Sequence, residues 1–119
     1  MPTILDYLGF DVPQDLDGQS VRPLLEGSRN VPWRDHILYE YHWEWNFPAT
    51  PTTLAIRTDG DKFIYYHGVW DHNGYYDLRT DPYERHNLIN VPAFQDRISE
   101  LQRQLFTELE QRGGLLLPI

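Results

Sequence analysis

Histidines and carboxylates are the residues of this chain best equipped for chemistry. His67, Asp71 and His72 lie closest together and could offer nitrogen and oxygen ligands to a metal. A zinc site needs three or four ligands held by pre-positioned elements, and no His-x-x-x-His or Cys spacing supplies them. That spacing favours solvated loop histidines. Glu40 and Glu44 flank His42, and a carboxylate pair is the equipment of glycoside hydrolysis. On a strand, however, side chains two apart rise about 6.6 Å and point the same way. Such a pair suits the protection of a sheet edge better than acid and base work from two sides of a substrate.

Trp43, Trp45 and Trp70, with Tyr65, Tyr66, Tyr75 and Tyr76, could stack on the C–H face of a pyranose and keep their N–H and O–H groups for sugar hydroxyls. At alternating strand positions the same aromatics fill a sheet-to-helix core or the seam with a partner domain. Arg57 and Lys62 could meet an oxyanion, or pair across a hairpin with Asp59, Asp61 or Asp77. Arg85 and His86, beside Asp81 and Glu84, form a solvated charge cluster.

The elements that must position these residues are legible in the pattern. Residues 3–8 read as the end of a helix stopped by Gly9 in the left-handed cap. Pro13, Asp15, Asp17 and Gly18 mark a turn-rich loop, and Ser20 caps a short helix carrying Leu24 and Leu25 and closing at Gly27. This lead-in, residues 1–34, is irregular and suited to lean on another surface. From Ile37 the period is two, with Ile37, Tyr39, Tyr41, Trp43 and Trp45 on one face and Glu40, His42 and Glu44 on the other. Thr53 to Thr58 and Lys62 to His67 are further strands, and Asp59-Gly60 between them signals a hairpin because both residues tolerate positive φ. Tyr75 to Leu78 is a fourth.

Pro92 fits the first turn of a helix. Phe94, Ile98, Leu101, Leu105 and Leu109 then recur at helical spacing up to Gly113-Gly114. The predicted fold class is α+β: a small antiparallel sheet of about four strands over 35–80, with a long amphipathic helix over 92–113 packed on one face.

The bulk numbers bound the function. A chain of 119 residues, 40% hydrophobic and 24% charged, has the length and apolar content of one globular domain. A formal charge of −8 opposes binding to a phosphate backbone, which excludes nucleic acid as the natural partner. With no cysteine there is neither a disulfide nor a thiolate site. No apolar run approaches the roughly 18–20 residues of a membrane span. Met1-Pro2-Thr3, with Asp6 soon after, does not read as a signal peptide.

Several strings, in order, resemble the C-terminal region of the type I (formylglycine-dependent) sulfatases. They are Pro2-Thr3-Ile4-Leu5-Asp6, Leu16-Asp17-Gly18-Gln19-Ser20-Val21 with Pro23-Leu24-Leu25-Glu26-Gly27, Trp33-Arg34, Ala55-Ile56-Arg57-Thr58-Asp59, Lys62-Phe63-Ile64, Tyr76-Asp77-Leu78, and Asp81-Pro82 with Glu84, Asn87 and Leu88. The segments from Tyr41 to Pro48, from Thr50 to Thr53 and from Tyr65 to Asp71 are most similar to N-acetylglucosamine-6-sulfatases. Gly60, Asp61 and Gly74 depart from the common family pattern.

The resemblance implies a catalytic domain preceding this region, in which a formylglycine attacks sulfur while calcium polarises the sulfate. Here the one Pro-x-Arg, Pro32-Trp33-Arg34, has Asn30 two before the proline, a residue that cannot become formylglycine. The chain alone is therefore expected to be inactive, with no catalytic residue and no metal ligand of its own. The resemblance places substrate contacts in the loop from Trp43 to Thr53 and the turn from His67 to Asn73, where His67, Trp70 and Glu44 would bind the sulfated sugar. It implies as partners the catalytic domain and a sulfated glycan, and a parent of a commonly exported kind: periplasmic, extracellular or lysosomal. An exposed docking face would also favour self-association. Two other classes compete: a stand-alone carbohydrate-binding or interaction module, and a small hydrolase using Glu40 or Glu44.

Overall fold

The computed structural model describes residues 1–42, 51–68 and 72–113, which fall into two units, Met1–Trp33 and the part from Arg34 onward. The first unit holds two short helices, α1 (Pro2–Tyr7) and α2 (Arg22–Leu25). Gly9 and Gly27, both at φ 73°, end them in the left-handed conformation that a Cβ disfavours. Neither helix buries a residue, so polar contacts tie them together. Ser20 Oγ donates to Asp6 (2.5 Å) and the Val21 N–H to Thr3 Oγ1 (3.1 Å). The Arg22 guanidinium reaches the carbonyl (2.9 Å) and carboxylate (3.2 Å) of Asp6. Ser20 does not occupy the cap position, which falls to Val21; its hydroxyl instead accepts the Arg22 N–H at 3.2 Å.

The second unit is an antiparallel meander of β1 (His36–Tyr41), β2 (Thr52–Thr58), β3 (Asp61–His67) and β4 (Gly74–Asp77), in spatial order β1-β2-β3-β4. One 3₁₀ turn, Pro92–Phe94, leads into α3 (Gln95–Gln111). The mixed α+β architecture is thus the one the sequence predicts. The stripe on α3 is buried as its spacing requires: Ile98, Leu101, Leu105 and Leu109 pack on Leu54, Ile56, Phe63 and Tyr75.

Two details differ from expectation. The Asp59-Gly60 hairpin forms, but neither residue has positive φ. The turn is built instead by the Thr58 hydroxyl, which accepts the N–H groups of Gly60 (3.1 Å) and Asp61 (3.0 Å) and donates to the Asp61 carboxylate (2.5 Å). The Arg79 guanidinium lies over Gly60, and a Cβ there would only require that exposed side chain to swing aside.

The second difference concerns β1. Ile37 and Tyr39 do share a face, yet they are 46% and 54% exposed. The core side of the strand is that of Leu38, which pairs with Ile56, itself opposite Phe63 and then Tyr75. Of the two structural roles open to the alternating large side chains of β1, helix-covered core is therefore excluded for Ile37 and Tyr39. Trp43 and Trp45 lie outside the described residues.

Candidate functional site

A four-stranded meander sends its first and third connections out at the same end. The register makes this concrete. Thr52, which opens β2, faces His67, which closes β3, while Tyr41 at the end of β1 faces Thr53. The chain segments leading into residues 43–50 and 69–71 are thereby anchored side by side. His67 is half-buried on the side of the sheet that α3 covers, with its ring 6.4 Å from that of Tyr65. Tyr65 is in turn fixed by an edge-on contact with Phe106 at 5.1 Å. Just past the end of β1, His42 lies 3.4 Å from Glu40, a contact beside an edge strand where charge discourages pairing with another sheet. Glu44 and Trp70, the other expected sugar contacts, lie outside the described residues.

Asn73 and Asn87 secure the base of the β3–β4 connection. The Asn73 side-chain oxygen accepts the Tyr66 N–H at 3.0 Å, across the mouth of the turn that leaves β3 at Gly68 (φ 126°). Asn87 donates to the Asn73 carbonyl (3.0 Å) and accepts the N–H groups of Tyr75 (3.1 Å) and Ile89 (3.1 Å). With the Leu88 N–H on the Tyr75 carbonyl at 2.8 Å, this segment replaces a missing neighbour along the free edge of β4.

The opposite end of the sheet carries the most perturbed groups, and they are committed to structure. Asp61, only 8% exposed, receives Arg97 Nε (2.7 Å) and an Arg97 terminal nitrogen (3.1 Å), with the Tyr75 hydroxyl at 3.3 Å. Burial pushes its carboxyl pKa up, but the Arg97 and Thr58 hydrogen bonds outweigh that and hold it below the ordinary range. The Tyr75 phenol is pushed up to about 12 by burial and by the Asp61 charge, so it stays neutral.

His36 lies between Asp35 (Nδ1, 2.6 Å) and Glu108 (Nε2, 2.9 Å). Burial opposes its charged form, but the hydrogen bonds it donates to these carboxylates prevail and raise its pKa. None of the three groups is poised to attack or protonate a substrate.

The cationic pair expected to meet an oxyanion stays together, Arg57 opposite Lys62 across the hairpin, but only Lys62 has a carboxylate partner among the described residues. Lys62 contacts Glu84 and lies 5.5 Å over the Tyr76 ring, while Asp61 belongs to Arg97. The hairpin pairings expected from sequence do not form. Arg57 is exposed and has no ion-pair partner among the described residues. Asp81 accepts the His86 N–H at 2.8 Å and closes the turn there. No three His, Asp or Glu side chains among the described residues converge on a point where a metal could sit. The one Pro-x-Arg offers no formylglycine precursor, since there is no cysteine and Asn30 holds the near-motif position.

Asn73, Asn87, Arg97 and Glu108 were not apparent as important from sequence. Asn87 could have been found within the Asp81 to Leu88 string, as the amide a turn would use to satisfy a neighbouring strand edge. Arg97 and Glu108 had no such signal, because both lie among the many polar residues of α3.

The geometry agrees with known proteins. A solved structure of an enzyme in complex with its substrate D-glucosamine-2-N,6-O-disulfate superposes with a TM-score of 0.80 at 29% identity, over 97% of this chain and 24% of that one. An arylsulfatase of Clostridium perfringens is 38% identical over 112 residues, 94% of this chain and 22% of its own length. An N-acetylglucosamine-6-O-sulfatase of Bacteroides thetaiotaomicron is 32% identical over 116 residues, 93% of this chain and 20% of its own length. The chain thus spans about a fifth of the curated relatives it matches. Residues 1–111 match the family model of the N-sulphoglucosamine sulphohydrolase C-terminal region, and the chain belongs to that sulfatase C-terminal family.

Proposed function

We propose that this chain is the substrate-side subdomain of a sulfatase that hydrolyses sulfate esters on N-acetylglucosamine 6-sulfate or a closely related sulfated glycan. It would dock on a catalytic domain that carries the formylglycine and calcium, and complete one side of its cleft. The observation that carries this reading is the common exit of the two connections, with Thr52 opposite His67 at the sheet end. Loops anchored on a rigid sheet suit the discrimination of a substrate. A half-buried imidazole can share hydrogen bonds with sugar hydroxyls. Trp70 would add a stacking plane and Glu44 an acceptor. All three would bind and orient the sugar, and sulfur chemistry would be left to the catalytic domain. The relatives that act on sulfated glucosamines support the sugar class.

The test compares two substrates on the complete sulfatase containing this chain. His67→Ala is expected to raise KM for N-acetylglucosamine 6-sulfate while leaving turnover of 4-nitrophenyl sulfate near the parent value, because the aryl ester lacks the sugar. Equal loss on both substrates, or on neither, would reject a sugar-binding role. The 119-residue chain alone is expected to turn over neither substrate.

A further inference from the structure

We propose that the sheet face opposite α3 is the surface that seats this subdomain on its catalytic domain, against a patch that is apolar at its centre and carries a carboxylate for Arg57. The inference rests on the sulfatase-subdomain reading and names the contact surface within it. Across β1, β2 and β3 the register sets Tyr39 beside Ala55 and Ile64, and Ile37 beside Arg57 and Lys62. These residues, with Thr53, line a shallow hollow of about 230 Å³. The two large side chains of β1 stand 46% and 54% exposed on this face. Apolar side chains clustered and exposed on the face that α3 does not cover mark an interaction surface.

Charge selects the occupant. Glu84 already neutralises Lys62, whereas Arg57 has no ion-pair partner among the described residues. The strand positions sharing this face, from Ile37, Tyr39 and Tyr41 across to Gly74 and Tyr76, include no acid, and the nearby Glu84 carboxylate is already held by Lys62, so a second copy would offer Arg57 no free carboxylate there. Two copies would also each bring a formal charge of −8. In the Clostridium relative most of the protein lies outside the matched region, which covers 22% of it.

The experiment mixes the chain with the part of the Clostridium perfringens arylsulfatase outside the matched region, both checked for folding by circular dichroism, and follows association by ultracentrifugation. Tyr39→Lys and Arg57→Glu, each at an exposed position, should weaken binding at least about tenfold, as loss of central contacts does. Arg103→Glu, on the exposed side of α3, should leave it unchanged. The same ranking should appear in the melting temperature of a chimera in which the chain replaces the matched region. Loss with Arg103→Glu and tolerance of Tyr39→Lys would overturn the choice of face while leaving the subdomain reading intact. A wild-type chain that does not associate, in a chimera whose stability ignores all three variants, would overturn docking itself. Self-association abolished by Tyr39→Lys would overturn the proposal in favour of a second copy. The His67 comparison of substrates decides the sugar-binding reading separately.

Discussion

Asp61 is a carboxylate out of water that keeps its charge because Arg97, Thr58 and Tyr75 all donate to it. Asp61→Ala would leave the buried Tyr75 hydroxyl without its acceptor and uncouple the β2–β3 hairpin from α3. Arg97, more than a third exposed, would be rehydrated, which limits the cost. We expect about 2–3 kcal/mol of lost stability, read as a lower urea midpoint at unchanged slope. The pH dependence has a definite sign. A carboxyl whose folded pKa lies below its unfolded value of about 3.9 adds stability above that pH and loses it as the pH falls through the folded value. Asp61→Asn should therefore flatten part of the acid limb of stability against pH. The sequence offered Asp61 only a cross-hairpin lysine or arginine. Its actual partner is 36 residues away, and a single sequence without a register between helix and sheet cannot reveal such a pair.

At the scale of elements, α3 was the most legible, because its stripe is defined by spacing alone. Leu105 is fully buried, and Leu105→Ala should cost about 3 kcal/mol, whereas Thr107→Ala on the exposed side should stay within about 0.5 kcal/mol. Strand β1 was legible as a strand but not in its orientation. Alternation says which residues share a face, while the neighbours Ile56 and Phe63 decide which face the helix covers. The contact that fixes this edge strand to α3 is His36 on Glu108, with Gln104 and Asp35 beside the ring and Arg112 3.7 Å from Glu108. A histidine whose folded pKa lies above its unfolded value of about 6.5 contributes fully below that pH, and its contribution fades as the pH rises through the folded value. Both carboxylate partners have lowered pKa values and protonate only in acid, so the clip is strongest between those limits. The wild-type chain should accordingly lose more stability than His36→Gln between about pH 6 and pH 8. Thermal melts across that range would show equal slopes if His36 did not carry charge in the clip.

Across the whole molecule the two units rest on different physics. The unit from Arg34 onward has one contiguous core, in which Leu54, Ile56, Phe63, Leu101, Leu105 and Leu109 are almost wholly removed from water. The unit before it buries no side chain, and its helices of 6 and 4 residues are far below the length at which a helix persists in water by itself. What holds it is a set of half-exposed polar contacts around Asp6 and Arg22, each of which competes with water and contributes little. Such a segment opens locally without global unfolding, so its amides should report a far smaller opening free energy than those of the core strands. In native-state hydrogen exchange the amides of Leu8 and Leu25 should therefore exchange orders of magnitude faster than those of Leu54 and Phe63. Their rates should also be insensitive to low urea, as expected when opening exposes little surface. Asp6→Asn should accelerate exchange within the first unit and leave the β2 and β3 amides unchanged. Equal protection across both units, rising and falling together with urea, would mean a single cooperative structure and would contradict the division of labour inferred from burial.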